Sequence, residues 1–167
     1  VEKALPLLGE RVGLISTVQY LNTLSQASEI LSNAGKRVLL GNAGGRCIYP
    51  GQILGCCLFG AKSIEEKVDS FLYIGDGKFH PLGVALATKK EVVAANPLTS
   101  EVYSLDDEKE KMLRRRYAAI ETAQRAKNIG IIIGRKIGQR RTALAKRIKK
   151  LLEERGRKAY LIAVDVL

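Results

Sequence analysis

Short apolar runs alternate along this chain with stretches in which apolar residues recur every three or four positions. Runs bounded by glycine or polar residues have the pattern of strands buried on both faces; the three-to-four spacing is that of amphipathic helices. The first run, Arg11-Val12-Gly13-Leu14-Ile15-Ser16, predicts a buried strand. Over 18–34, Tyr20, Leu21, Leu24, Ala27, Ile30 and Leu31 take helical spacing, with Ser16 or Thr17 placed to cap the helix and Gly35 to end it. A second strand is predicted over 37–40. Strand, helix, strand in that order favours parallel pairing. Residues 63–67 begin a short helix and 71–74 make a third strand. A helix over 79–88 follows, its start confined by Pro81 to Phe79 or His80. A fourth strand over 92–95 is broken by Asn96-Pro97.

Residues 98–105 read as a linker. A long polar helix over 106–127 carries acid at its start and base toward its end, which suits its dipole. Then come a very apolar fifth strand over 129–133, an amphipathic helix over 142–155 stopped by Gly156, and a sixth strand over 160–164. Leu144, Ile148, Leu151 and Leu152 are expected to face inward. The fold class is therefore α/β: a parallel four-stranded sheet domain with flanking helices over 1–98, followed over 99–167 by a linker helix and part of a second, similar domain.

Composition narrows the field. The 167 residues are 46% hydrophobic, enough for a core. No apolar run is long enough to span a bilayer and no cleavable leader opens the chain, so no membrane association and a cytoplasmic location are expected. The chain opens on Val1 rather than Met, which reads as a piece of a longer protein. Net charge is +11, with most of the excess after Arg114. Such a balance suits nucleic acid, a nucleotide, an acidic protein or simple solubility. Only 5% of residues are aromatic and no stacking motif for single strands is present, so no specific nucleic acid is expected. A non-catalytic basic module for RNA or an acidic protein remains the alternative reading. Abundant lysine, arginine and glutamate without tryptophan fit a thermophile.

The candidate chemistry is concentrated in Tyr49-Pro50-Gly51-Gln52-Ile53-Leu54-Gly55-Cys56-Cys57, which holds two of the three cysteines together with Gly51 and Gly55. Cys47, Cys56 and Cys57 match neither a structural zinc spacing nor a ferredoxin run. The side chains of adjacent Cys56 and Cys57 diverge, so one faces a site while the other packs. Gln52 either supports a site or satisfies the backbone of its own loop. Gly75-Asp76-Gly77 follows a strand, where ligands bind in open α/β sheets. Asp76 either accepts hydrogen bonds from a ligand's amine or ribose or caps the next helix. His80, the single histidine, is a proton carrier near the site or a local backbone partner. The loop Gly134-Arg135-Lys136-Ile137-Gly138-Gln139-Arg140-Arg141 can cradle an anion but lacks the phosphate-loop ending. The basic residues of the last helix and Arg114-Arg115-Arg116 read as solvated faces.

Taken in order, these segments resemble the diphthamide synthases, the 3-amino-3-carboxypropyl transferase family that modifies a histidine of translation elongation factor 2. The stretch from Tyr49 to Cys56 resembles the cysteine motif of the family's middle domain. Val12-Gly13-Leu14-Ile15-Ser16-Thr17-Val18-Gln19-Tyr20 is similar to that domain's opening strand, and Asn96-Pro97 to its close. Asp69-Ser70-Phe71-Leu72-Tyr73-Ile74-Gly75-Asp76-Gly77-Lys78-Phe79-His80 is similar to its aspartate, strand and Gly-Asp-Gly-x-Phe-His segment, which argues against quinolinate synthase, another three-domain iron–sulfur architecture. Gly130-Ile131-Ile132-Ile133-Gly134 and Gln139 resemble the start of the third domain.

The resemblance implies three related domains, each giving one cysteine to a single 4Fe–4S cluster. It implies that the open iron binds S-adenosylmethionine, which is cleaved to a 3-amino-3-carboxypropyl radical that attacks the histidine, the first step of diphthamide biosynthesis. It further implies a homodimer or a paralogue heterodimer. Cys56 matches the middle-domain ligand. Gln52, Gly55, Gly75, Asp76, Gly77, His80, Arg135 and Gln139 are the residues expected around cluster and substrate; no catalytic residue is assigned. Cys47 and Cys57 match neither of the other ligands, so this chain alone is expected to be inactive.

Overall fold

Side chains alternate across a strand, and three strands here are apolar on both sides, so the sheet they form needs cover on both faces. The computed structural model describes residues 1–136 and 140–165. The chain divides into two compact units, Val1–Met112 and Leu113–Leu167.

In the first unit, β1 (Arg11–Ser16), β2 (Arg37–Leu40), β3 (Ser70–Ile74), β4 (Glu91–Ala95) and β5 (Val102–Ser104) form one sheet in the order β2-β1-β3-β4-β5. The first four strands are parallel, and β5 pairs antiparallel with β4. Ile15, Phe71, Tyr73, Val92 and Ala94 point to one face, where Ala61 and Ile64 of α2 (Phe59–Ile64) and Val84 and Ala85 of α3 (Phe79–Ala87) cover them. Val12, Leu14, Leu72, Ile74, Val93 and Ala95 point to the other, under Leu24, Ala27 and Leu31 of α1 (Leu24–Asn33) and Ala4 and Leu8.

Four local expectations differ from what the chain adopts. The stretch 98–105, expected as a linker, contains β5. Asn96 and Pro97 do not end the sheet; they turn it back. The Asn96 side-chain oxygen accepts from the N–H of Leu98 at 2.9 Å, and Asn96 N–H donates to Glu101 O at 2.9 Å. The helix expected from residue 18 opens as a 3₁₀ segment, Val18–Thr23, and becomes α-helical at Leu24. Neither Ser16 nor Thr17 caps it: Thr17 makes no side-chain cap bond, and the Ser16 hydroxyl crosses the sheet to donate to Ile74 O at 2.6 Å.

The second unit takes in the later part of α4 (Asp106–Arg125) and then runs through β6 (Asn128–Gly134), α5 (Thr142–Glu153) and β7 (Lys158–Val164). The two strands pair in parallel from Asn128↔Lys158 to Gly134↔Val164. Arg157 closes the end of α4, donating to the carbonyls of Ala123 at 3.1 Å and Gln124 at 2.6 Å in the helix's last turn. Only Ala145 of α5 is buried; Leu144, Ile148 and Leu151, expected to face inward, are exposed. A two-stranded sheet is too narrow to cover the apolar stripe of a twelve-residue helix.

Candidate functional site

Order β2-β1-β3 places a reversal of strand order beside β1, and the carboxyl ends of the strands there open onto the crevice where α/β sheets bind ligands. The cysteine loop is strapped across that edge. Ser16 N–H donates to Gly51 O at 2.9 Å, Ile53 N–H to Ser16 O at 2.8 Å, and Gly51 N–H to Gly41 O at 2.9 Å. Ile53 is fully buried and pins the strap into the core. Gly51 sits at φ +73°, where other residues are strained.

A tight two-residue turn stands on either side of the strap. Gly44 and Cys47 exchange backbone hydrogen bonds of 2.9 and 3.1 Å around Gly45-Arg46; Leu54 and Cys57 exchange bonds of 2.9 and 3.0 Å around Gly55-Cys56. Gln52 supports the segment between the two turns. It is buried, and its Oε1 accepts from the N–H groups of Ile48 at 2.8 Å and Tyr49 at 3.1 Å. Of its two sequence readings, this is the one that satisfies the loop's own backbone.

The three thiols are in unlike surroundings. Cys56 is exposed at the tip of its turn, with Arg46 Nη1 at 3.7 Å from its sulfur. Cys57 turns back: its sulfur accepts from Arg46 N–H at 3.4 Å and its thiol donates to Gly44 O at 3.4 Å. The backbone N–H of Phe59, and after it that of Arg46, hold the Cys57 thiol below its usual range. Cys47 is buried, and burial followed by its contact with Cys57 pushes it up to about 11. One thiol of the adjacent pair faces out while the other packs.

The loop after β3 is the facing rim. Gly75 N–H donates to Ala95 O at 3.1 Å, and the Tyr73 hydroxyl donates to the carbonyl of Asp76 at 3.3 Å. Gly77 takes φ +65°. Asp76 is exposed and does not cap α3: the cap position is Lys78, without a side-chain cap bond. Lys78 is ion-paired with Glu108 instead. Phe79 joins this rim to the cysteine turn, since a Cβ on Gly55 would come within 2.5 Å of its Cε1. The His80 ring meets Phe79 edge-on, centroids 5.2 Å apart.

Gln52, Gly55, Cys56 and, through Phe79, His80 are thus brought together at one edge of the sheet, with the Gly75-Asp76-Gly77 loop leading into α3. Arg135 belongs to the second unit, where it pairs with Asp165 at 3.3 Å. Gln139 lies outside the described residues. Arg46 and Phe79 were not singled out from sequence. Arg46 stands ten residues from Cys56, and only the paired turns bring them together. Ion pairs such as Arg125–Glu121 and Lys149–Glu153 fit the reading of the basic helices as solvated faces.

The model of the diphthamide synthesis protein family matches residues 1–167, the whole chain. The chain belongs to the diphthamide synthesis family. Among its relatives, a 2-(3-amino-3-carboxypropyl)histidine synthase of Pyrococcus horikoshii is 42% identical over 158 residues, covering 95% of this chain and 45% of that protein. Subunit 1 of the human synthase is 32% identical over 124 residues, covering 74% of this chain and 27% of its own. The crystal structure of Dph2 from P. horikoshii with a 4Fe–4S cluster superposes with TM-score 0.86 at 39% identity, over 99% of this chain and 48% of that one. The chain therefore spans less than half the length of these relatives. The α/β class read from the hydrophobic pattern holds for the family fold.

Proposed function

We propose that this chain is the part of a 2-(3-amino-3-carboxypropyl)histidine synthase that presents Cys56 as one ligand of a 4Fe–4S cluster. The whole enzyme transfers the 3-amino-3-carboxypropyl group of S-adenosylmethionine to a histidine of translation elongation factor 2 by a radical route. In this reading the first unit, Val1–Met112, is a middle domain and Leu113–Leu167 the start of a third; the boundary expected at 98 moves past β5, which completes the first sheet. The enzyme is cytoplasmic and works as a homodimer or a paralogue pair.

The observation that carries the proposal is the exposed sulfur of Cys56 at a turn tip above the strand ends, within a family match that spans the chain. Thiolates are the usual ligands of such clusters. The donor set fits one position of the cluster and no more. Cys47 is buried and the Cys57 sulfur is bonded into the loop. Among the described residues no three of His, Cys, Asp and Glu are grouped to hold a metal. The other ligands come from other parts of the assembly. When bound, the cluster supplies the electron that breaks the bond between sulfur and γ-carbon in S-adenosylmethionine.

The chain's own residues hold and orient. Gln52 holds the Ile48-Tyr49 segment of the cysteine loop, and Gly55 lets the Phe79 ring lie against the turn that carries Cys56. Gly75 and Gly77 leave room at the rim, where the Asp76 carboxylate accepts from an amine or ribose hydroxyl and His80 offers a proton-bearing ring. Arg135, in the second unit, and Gln139 belong to a basic loop that takes an anion, either the carboxylate of S-adenosylmethionine or an acidic surface of the elongation factor.

Anaerobic reconstitution of the full-length protein tests this. Cys56→Ala is expected to lose the cluster's absorbance and most of its iron and sulfide, whereas Cys47→Ala retains them. A full complement of iron in Cys56→Ala overturns the assignment.

A further inference from the structure

Arg46 is held at three points beside the candidate ligand. Its backbone lies in the turn closed by the two bonds between Gly44 and Cys47. Its N–H donates to the sulfur of Cys57 at 3.4 Å. Its Nη1 reaches the sulfur of Cys56 at 3.7 Å. The preceding residue has to be small for this: Gly45 sits at φ +63°, and a Cβ there would come within 2.9 Å of Cys57 Sγ. Among the described residues no carboxylate forms an ion pair with Arg46, so its charge is directed at sulfur. Cys57 is not a candidate ligand, yet it anchors the arginine whose side chain serves its neighbour.

We infer that Arg46 is the positioning residue of the Cys56 thiolate, donating a charge-assisted hydrogen bond to the ligand sulfur and so raising the reduction potential of the cluster bound there. The inference rests on the reading of Cys56 as a ligand. A reduced cluster carries one more negative charge than an oxidised one, and a fixed guanidinium at the ligand sulfur favours the more negative form. Hydrogen bonds to the sulfurs and net local charge are the levers by which proteins set such potentials. Arginine suits the position because its charge does not titrate and its rigid fork keeps a donor on the sulfur while the backbone is held elsewhere.

The test is a mediated redox titration of the anaerobically reconstituted full-length protein, followed by electron paramagnetic resonance of the reduced cluster. Wild type, Arg46→Gln, Arg46→Lys and Cys56→Ala are compared, with iron counted in each. Arg46→Gln is expected to keep its iron and to titrate at a more negative potential. At the wild-type midpoint its ratio of reduced to oxidised cluster falls about tenfold, equivalent to about 59 mV for one electron. Arg46→Lys keeps the charge and recovers part of the shift. If Arg46→Gln loses iron, recovery of iron in Arg46→Lys supports the inference and equal loss in both overturns it. An unshifted midpoint in a fully loaded Arg46→Gln overturns it while leaving Cys56 a ligand. A cluster that survives Cys56→Ala removes both readings together.

Discussion

The ring of Phe79 lies on the backbone of Gly55: a Cβ on Gly55 would stand 2.5 Å from Phe79 Cε1. This contact couples the loop after β3 to the turn that carries Cys56. Phe79 is 72% exposed, so its ring can swing aside. Gly55→Ala is therefore expected to change folding stability by no more than about 1 kcal/mol. It should nonetheless alter the electron paramagnetic resonance line shape of the reduced cluster. Thermal melts of the apo-protein beside spectra of the reconstituted one separate the two effects.

Gln52 bonds to two backbone groups of the cysteine loop from a buried position. Gln52→Leu keeps bulk but leaves the N–H groups of Ile48 and Tyr49 without their acceptor. An unsatisfied donor costs about 1–3 kcal/mol when buried, and both of these are only partly so, which places the expected loss toward the lower end. Urea midpoints of wild type and variant measure it.

Gly41 and Gly60 approach backbone to backbone where β2 leaves the sheet beside α2. A Cβ on Gly41 would fall 1.9 Å from Gly60 O, an atom that cannot rotate away. Gly41→Ala is expected to cost at least the upper part of the ~1–3 kcal/mol typical of overpacking. Gly35→Ala is the control. Gly35 has φ +79° with open space around it, so only the backbone strain of about 1–2 kcal/mol applies. Denaturant melts should rank Gly41→Ala as the more damaging.

The thiols should separate in their response to pH. Cys57 is held below the usual thiol range by the N–H groups of Phe59 and Arg46, and burial raises Cys47 to about 11. In the apo-protein, iodoacetamide labelling read by peptide mass spectrometry is expected to rise at lower pH for Cys57 than for Cys47. Reversal of that order would refute the hydrogen-bond pattern in the two turns.

Acid should find the opposite end of the sheet. Asp69 accepts from Arg11 N–H at 2.8 Å and pairs with its guanidinium at 2.5 Å, and that side chain is the main reason its carboxyl falls to about 2 from an ordinary 3.8. A lowered carboxyl pKa stabilises the fold above the ordinary value, and the gain disappears as pH falls toward about 2. Both partners are partly exposed, so the effect is small. Wild type should exceed Asp69→Asn in urea midpoint at about pH 6, with the gap closing in stronger acid.

Local pattern was enough to locate most of the elements. Runs such as Phe71-Leu72-Tyr73-Ile74 have no polar side to expose, so they specify central parallel strands, and the spacing of Leu24, Ala27 and Leu31 marks the helix that covers them. The ordered motifs also carried the family, and the glycines around Cys56 marked the turn. Other features depended on atoms distant in sequence. Asn96-Pro97 reads from the sequence as a break, and only the pairing of β5 on the edge of β4 makes it a hairpin. The inward face expected of α5 needs a wider sheet than two strands provide. Arg46 meets Cys56 because two turns are pinned side by side by a strap on β1, a relationship with no periodicity to betray it. Hydrophobic period is a property of neighbours along the chain, so it could be read in advance. The direction of a sulfur, an arginine or an aromatic ring depends on which backbones are brought to the same edge, and only tertiary packing settles that.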